Sequence, residues 1–220
     1  NPAQKATPHS VSSRSRRVDC CFRARSSAKP SPSLDWSRLR KLSALPASIA
    51  AVHRQCLQRV RSMYTSASNV LPILVAGTFT GALGAIRAHA KRYPDLCVVQ
   101  IDAHGDLRQA YGGNPFSHAS VMARVVDDGH RLVQVGIRSI CPEEIERIKT
   151  TKSISTFFAA SILDPSGPYE GRAARWVPEV VAACTGPVYL TFDCDGLDSA
   201  IIPALGTPEP GGLGWDDTLH

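Results

Sequence analysis

Two short motifs place carboxylates and an imidazole directly after apolar stretches of the chain. One reads D-A-H-G-D (102–106) and the other reads D-C-D (193–195). Alternate residues at an extended strand end point to the same side, so each motif directs its acidic side chains and its histidine towards one point. We expect a single cluster with five members, which are Asp102, His104, Asp106, Asp193 and Asp195.

Such a cluster predicts a metal centre. Four carboxylates and one imidazole in a small space repel one another unless cations neutralise them. An oxygen-rich ligand set with a little imidazole suits Mn²⁺ better than Zn²⁺ or copper, and bridging carboxylates can hold two ions about 3.5 Å apart. A lone D-x-D at a strand end is more often a cap or a solvated end. The two motifs together, each after an apolar run, favour a metal site.

The segments around the motifs alternate between predicted strands and predicted helices. Apolar runs predict strands over residues 71–76, 96–102, 131–139, 155–160 and 187–195. Apolar residues at helical spacing and helix start and stop residues predict helices over 46–63, 82–92, 117–128, 142–149 and 173–183. Because the strands are nearly all apolar, we predict an α/β fold whose parallel sheet is covered on both faces. Ligands bind beyond the carboxyl ends of such strands, where both motifs lie.

The N-terminal segment differs in composition from the rest. Residues 1–41 contain ten of the 25 Lys/Arg and only two of the 19 Asp/Glu, so the net charge of +6 comes from this segment. A basic face with aromatic residues, as nucleic-acid binding requires, is not predicted for the remainder. Two interpretations of residues 1–44 stay open. One is a disordered or mistranslated leader, and the other is a transit peptide.

The seven cysteines are scattered and form no C-x-x-C. This pattern indicates free thiols in a reducing compartment and argues against a disulfide framework or a zinc site. No apolar run approaches the roughly 18 residues of a membrane span. We expect a cytoplasmic protein without membrane or nucleic-acid partners. A mitochondrial location follows only if the N-terminal segment is a transit peptide.

The motifs and their surroundings resemble the ureohydrolase family of arginases and agmatinases, and they are most similar to agmatinases. The resemblance covers residues 45–217 in the family's order and is highly specific. Four stretches carry it: LGAIRA (83–88), VVQIDAHGDLRQAYGGNPFSHASVMARV (98–125), LVQVGIRSI (132–140) and VYLTFDCDGLDSAIIPALGTPEPGGLGWDD (188–217). It implies a three-layer α/β/α fold with a central parallel sheet. By that comparison the domain at 45–220 is incomplete at both ends, with its C-terminal part truncated.

The resemblance implies a role for each residue of the two motifs. Asp102 and Asp193 resemble the carboxylates that touch both manganese ions of the family. Asp106 resembles a ligand of one ion, whereas His104 and Asp195 resemble ligands of the other. A hydroxide that bridges the two ions would attack the guanidinium carbon of the substrate.

Three further residues match substrate-side positions of the family. His118 matches the histidine that moves a proton towards the leaving amine, although taken alone it would be read as a surface histidine at a helix start. Asn114 lies in the loop that resembles the substrate-contacting one. Asp217 stands where the family has a glutamate that grips the guanidinium.

The sequence departs from the family pattern at the first metal motif. Phe79 stands where G-G-D-H-S has a manganese-ligating histidine, and Thr78 stands where the same motif has a carboxylate. Phenylalanine has no lone pair to donate, so we expect the first ion to bind weakly and the second normally. Asp217 keeps the charge of the family glutamate with a shorter reach, so we expect a raised KM and a reduced kcat.

Together these observations predict manganese-dependent hydrolysis of a guanidino compound. The resemblance favours agmatine, which would give putrescine and urea, and leaves arginine and guanidinobutyrate open. A catalytically impaired or inactive homologue is the alternative, because of Phe79 and Asp217. The resemblance also implies two Mn²⁺ ions and a homo-oligomer, either a trimer or a hexamer.

Overall fold

A four-stranded parallel sheet lies at the centre of the fold. The computed structural model describes residues 22–25, 49–66 and 70–220. In spatial order the strands are β5 (Ile154–Phe158), β4 (Arg131–Ile137), β3 (Cys97–Ile101) and β6 (Val188–Phe192). All three pairings are parallel. The carboxyl ends of β3 and β6, which precede the two acidic motifs, therefore lie side by side.

Helices cover both faces of this sheet and give the three-layer α/β/α arrangement. One face carries α2 (Ala82–Ala90), α3 (Val121–Asp127) and α4 (Pro142–Thr150). The other face carries α5 (Ala159–Ile162) and α6 (Ala173–Ala183). The predicted fold class is thus confirmed.

The two central strands are buried on both faces. On the α2 side, Val98 of β3 and Leu132 of β4 pack against Leu83, and all three are fully buried. On the α6 side, Val133 packs with Trp176. Burying a large apolar side chain stabilises the fold by about 1.5–3 kcal/mol. These two layers therefore fix the positions of the strand ends that carry the motifs.

Two helices lie outside the central layers. Helix α1 (Ile49–Ser66) packs on α2, where Val60 contacts Ala85 and Ala88. Helix α7 (Trp215–Leu219) follows the loop after the second motif. No helix in the described ranges is long and apolar enough to cross a membrane.

The first predicted strand has a different partner from the one expected. Residues 71–76 were expected to join the parallel sheet, but β2 is shorter (Val70–Ile73) and pairs antiparallel with β1 (Phe22–Arg25) in a separate sheet. Val75 is exposed. Strand β1 lies within the N-terminal segment, for which a disordered leader and a transit peptide are the two expectations. The rest of residues 1–48 lies outside the described part.

Strand β6 differs from the expectation of burial on both faces. Its residues alternate, and the side chains on the α6 side, Val188, Leu190 and Phe192, are 51%, 59% and 40% exposed. Among the described strands β6 is at the edge of the sheet. The face of β6 on the α2 side is covered, because Tyr189 packs against the core there.

Candidate metal centre

The first motif leaves β3 in an extended turn that is fixed by β4. The backbone amide of Asp102 donates to the carbonyl of Val135 over 3.2 Å. The carbonyl of Ala103 accepts hydrogen bonds from the amides of Arg138 and Ser139, each over 2.9 Å. These bonds hold Asp102 and His104 in the lining of one cleft. Asp102 is buried there and His104 is half-buried.

The second motif leaves β6 in a turn that brings Asp195 against the first. The side chain of Asp193 accepts from the amide of Asp195 over 3.2 Å. Asp195 Oδ1 accepts from the amide of Ala103 over 3.2 Å, and its Oδ2 accepts from Thr207 Oγ1 over 2.9 Å. The carboxylate of Asp195 thus connects both strand ends.

Three of the five predicted cluster residues converge. Ligand atoms of Asp102, His104 and Asp195 all lie within 4.8 Å of one another. His104 Nδ1 is 3.5 Å from Asp102 Oδ1 and 3.2 Å from Asp195 Oδ2. Both carboxylates are buried, at 1% and 3% exposure. This arrangement offers two oxygens and one nitrogen to a cation.

The charges of the three groups depend on one another. Hydrogen bonds to Asp102 and then to Asp195 raise the pKa of His104 to about 10. Burial raises the pKa of Asp102 to about 6, against the hydrogen bond with His104. Burial also disfavours the charged form of Asp195, but the hydrogen bonds from His104 and Ala103 lower its pKa overall. Without a metal, the imidazolium therefore supplies the positive charge between the two carboxylates.

The other two predicted ligands lie close to this group without joining it. Burial and the charge of Asp102 raise the pKa of Asp106 well above its ordinary value. Burial and the charge of Asp195 raise the pKa of Asp193. Asp106 has a φ of 52°, in the left-handed region, so the chain is no longer extended there and its side chain does not follow the alternation of the strand.

The donor set fits a divalent cation. Two carboxylate oxygens and one imidazole nitrogen are ordinary ligands of Mn²⁺ and related ions. Burial and mutual repulsion disfavour the charged carboxylates, and a cation would remove that penalty. The raised pKa of His104 reflects the two carboxylates beside it, and a metal would have to displace the imidazole proton in order to bind the nitrogen.

The cleft extends from this cluster to both sides of β6. It encloses about 1480 Å³ and is lined by all five acidic and imidazole residues of the two motifs, by Phe79 and by His118. His118 begins a 3-10 turn before α3, is exposed, and meets the ring of Tyr111 edge-on at a centroid distance of 5.4 Å. Phe79 packs against the core on the α2 side.

Two predicted substrate residues are engaged elsewhere. Asn114 Oδ1 accepts from the amide of Phe116 over 2.9 Å. Asp217 Oδ2 accepts from the amide of Gly214 over 3.1 Å, at the start of α7. Among the described residues, the cleft lining includes neither side chain. Their predicted contact with substrate thus stays a prediction.

Sequence reasoning did not find Arg138. Its guanidinium enters the loop after the second motif and donates to six backbone carbonyls, those of Gly136, Asp195, Gly196, Leu197, Glu209 and Pro210. The shortest of these bonds, to Asp195, measures 2.7 Å. An arginine directly after a buried apolar strand was the available signal.

Glu209 was also missed. Its Oε1 lies 3.6 Å from His104 Nε2. Glu209 lies in a loop without helix or strand, well after the second motif in the sequence. Its sequence position therefore does not indicate that it lies near His104.

Known proteins resemble this chain in sequence. The sequence model described as Arginase family matches residues 1–220. An N(1)-aminopropylagmatine ureohydrolase of Synechocystis sp. is 38% identical over 150 residues, which cover 67% of this chain and 46% of that protein. An agmatinase of Bacillus anthracis is 35% identical over 164 residues, which cover 70% of this chain and 52% of that protein.

A solved structure extends the likeness to the fold. The agmatine ureohydrolase of Thermoplasma volcanium superposes with a TM-score of 0.65 at 31% identity, over 79% of this chain and 55% of that one. The chain spans about half the length of the curated relatives that it matches. From the match over its whole length and the arrangement of its two acidic motifs, the chain belongs to the arginase family.

Proposed function

We propose that this chain acts in the manganese-dependent hydrolysis of a guanidino compound, with agmatine as the leading substrate and putrescine and urea as products. One observation carries the proposal, namely the convergence of Asp102, His104 and Asp195 within 4.8 Å. The names of relatives at 38% and 35% identity support agmatine and N(1)-aminopropylagmatine as substrates of this class.

The choice of metal follows from the ligand types. Asp102, His104 and Asp195 would hold one ion, with Asp193 beside them. An oxygen-rich set with one imidazole favours Mn²⁺. When bound, such an ion supplies a Lewis acid that makes hydrolytic water available near neutral pH.

A second ion would have a poorer site. Asp106 is buried, and the negative charge of Asp102 acts on it. Both conditions favour a cation beside the Asp106 carboxyl. Phe79 lines the same cleft where the family motif has a histidine, and its ring donates no lone pair. We therefore expect one tight and one weak manganese site.

The substrate and the cleft complement each other in charge. A guanidinium is a delocalised cation whose N–H groups match carboxylate oxygens. Asp106 and Asp193 line the same cleft as the three converging side chains Asp102, His104 and Asp195. His118 lines the same cleft, and its imidazole can accept and return a proton. We assign to His118 the protonation of the leaving amine.

An impaired or inactive homologue is the second candidate. Phe79 removes an imidazole from the cleft, and Asp217 is bonded to its own helix start in place of facing the cleft. Both observations favour reduced activity. Arginine and guanidinobutyrate remain alternative substrates, because the described contacts do not distinguish the tails of these molecules. We expect a cytoplasmic homo-oligomer, trimeric or hexameric.

The test combines metal content with urea release. The purified chain is reconstituted with Mn²⁺, its metal content is measured, and urea is assayed with agmatine, N(1)-aminopropylagmatine, arginine and 4-guanidinobutyrate. Metal binding with urea from agmatine supports the proposal. Metal binding without urea from any substrate supports the inactive homologue.

A pair of variants ties the result to the cluster. His104→Asn should abolish tight Mn²⁺ binding. His130→Asn, in the turn before β4, should leave it unchanged, since His130 lies outside the cleft lining as described. Equal losses in both variants would indicate a general folding defect.

A further inference from the structure

A row of polar side chains crosses the core of the sheet and ends on Asp102. Thr156 of β5, Gln134 of β4 and Gln100 of β3 occupy paired positions in the strand register. Gln100 and Gln134 are both 0% exposed. Their neighbours on the same face, Val98 and Leu132, are apolar core residues. Two buried amides at such positions lower stability unless all their hydrogen bonds are made.

The hydrogen bonds of the row are continuous. Thr156 Oγ1 bonds to Gln134 Oε1 over 2.9 Å. Gln134 Nε2 donates to Gln100 Oε1 over 2.7 Å. Gln100 Nε2 donates to Asp102 Oδ2 over 2.9 Å. A chain of three bonds thus connects the outer strand β5 to the carboxylate.

The direction of the chain is fixed by two backbone carbonyls. Gln100 Nε2 also donates to the carbonyl of His104 over 3.2 Å, and Gln134 Nε2 donates to that of Gly105 over 2.8 Å. A carbonyl only accepts, so a flip of either amide would set oxygen against oxygen. The hydroxyl of Thr156 must therefore donate. Every bond runs towards Asp102, and bonds aligned in this way polarise one another.

The row also determines the orientation of the Asp102 carboxylate. Gln100 bonds to Oδ2, while the amide of His104 donates to Oδ1 over 2.7 Å. Both oxygens are fixed by the fold, and each keeps a lone pair for a ligand. The same two glutamines bind the carbonyls of residues 104 and 105, so they also fix the turn that carries His104.

We propose that Thr156, Gln134 and Gln100 form a positioning row that orients the Asp102 carboxylate and the 102–105 turn for a metal ion, so that a residue two strands away contributes to metal affinity. This inference rests on the proposed function in so far as the ion is concerned. Partners that orient metal ligands change metal affinity by about 10- to 100-fold when they contact the ligand directly. Thr156 acts through two intermediates, so a smaller effect is expected.

The experiment uses Thr156→Val, which removes the hydroxyl and keeps the shape, with Thr156→Ser as the conservative rescue. Ser155→Ala is the matched control, since Ser155 lies next to it on β5 and bonds to Arg131 on the other face. Two properties are measured on the full chain. They are the dissociation constant for Mn²⁺ and, without metal, hydrogen exchange of the His104 amide.

For Thr156→Val we expect Mn²⁺ affinity about 3- to 10-fold lower and several-fold faster exchange of the His104 amide. Thr156→Ser and Ser155→Ala should both stay close to the parent chain. If Thr156 had only a structural role, Thr156→Val would lower the thermal midpoint and leave both the Mn²⁺ dissociation constant and the exchange rate of the His104 amide unchanged. That result would overturn the proposal. Gln134→Met, similar in volume but unable to continue the chain of bonds, should have a larger effect on both.

The two readouts separate this inference from the proposed function. If the parent chain binds no Mn²⁺, the proposed function fails, yet exchange at His104 still decides whether the row positions the turn. If the parent binds Mn²⁺ while Thr156→Val changes neither readout, the proposed function stands and the positioning row is wrong.

Discussion

Arg138 Nη2 donates to the backbone carbonyl of Asp195 over 2.7 Å, so a residue at the end of β4 fixes the turn that presents a cluster carboxylate of β6. The same guanidinium also bonds to the carbonyls of Glu209 and Pro210. It thereby ties the 195–197 turn to the loop that carries Glu209 towards His104. The backbone amide of Arg138 also donates to the carbonyl of Ala103 over 2.9 Å, so one arginine contacts both motifs.

Replacement of Arg138 by lysine should destabilise the chain although the charge is kept. A single ammonium cannot reach carbonyls on both sides of the loop, and each buried carbonyl left without a donor costs about 1–3 kcal/mol. We expect a loss of about 2–4 kcal/mol in urea-induced unfolding and weaker Mn²⁺ binding. Arg175→Lys, at an exposed ion pair with Glu170, is the control. Unchanged stability in Arg138→Lys would show that the six bonds are dispensable.

A histidine at position 79 should improve the second metal site. Phe79 lines the same cleft as Asp106, and an imidazole there would add a nitrogen ligand to that cleft. We expect Phe79→His to raise the bound Mn²⁺ from one tightly held ion to two, as measured by metal analysis after dialysis. Phe116→His, on an exposed loop, should change nothing. Two tightly held ions in the parent chain would contradict the assumption of a weak site.

Burial of His89 should make a destabilising contribution in mild acid, opposite in sign to the contributions of the buried carboxyls Asp102 and Asp106, whose pKa values are raised. Burial lowers the pKa of His89 below 6.5, against a backbone hydrogen bond at Ala85. Below pH 6.5 His89 binds a proton in the unfolded chain but not yet in the folded chain, so its contribution destabilises the fold. The loss stops growing once the pH is below the pKa of His89 in the folded chain. Urea unfolding from about pH 7.5 to about pH 5 measures it. The free energy of unfolding of His89→Gln relative to that of the parent should rise as the pH falls, whereas the same difference for His130→Gln should stay constant. Parallel profiles for all three chains would exclude His89 as the cause.

Lengthening the side chain at position 217 tests its assignment to the substrate. Asp217→Glu should lower the KM for agmatine if the carboxylate can leave Gly214 and reach the guanidinium. Asp217→Ala should cost about 1 kcal/mol of stability, as expected for a lost helix cap. Asp216→Glu, on the exposed side of α7, is the matched control. If Asp217→Glu leaves KM and kcat unchanged, Asp217 is a cap and nothing more.

The fold could be predicted from the sequence where local patterns and burial agree. Strand β3 is apolar apart from Gln100, and strand β4 is apolar apart from Arg131 and Gln134; the structure buries both faces of each. Helix α6 has the predicted bounds, residues 173–183. Strand β2 was assigned to the wrong sheet, because its antiparallel partner Phe22–Arg25 lies in a segment whose composition gives no strand pattern.

The candidate site was predicted only in part, and for a geometric reason. Asp102 and His104 lie together, as alternation along a strand predicts. At Asp106 the backbone turns into the left-handed region, so alternation does not determine the direction of its side chain. Gln100 and Gln134 interrupt two apolar strands, and that interruption was visible in the sequence. Their function depends on strand register, which a sequence does not display.

Asp106 shows what a proposed metal ligand demands of the fold that contains it. A left-handed backbone at a non-glycine residue is destabilising by about 1–3 kcal/mol, and its φ is 52°. Its carboxyl is also buried beside Asp102, which raises its pKa. Asp106→Asn keeps a residue that tolerates this backbone and removes the buried charge, so the metal-free chain should melt at a higher temperature. The same change should weaken binding of the proposed second ion, so that selection for stability alone would remove this proposed ligand.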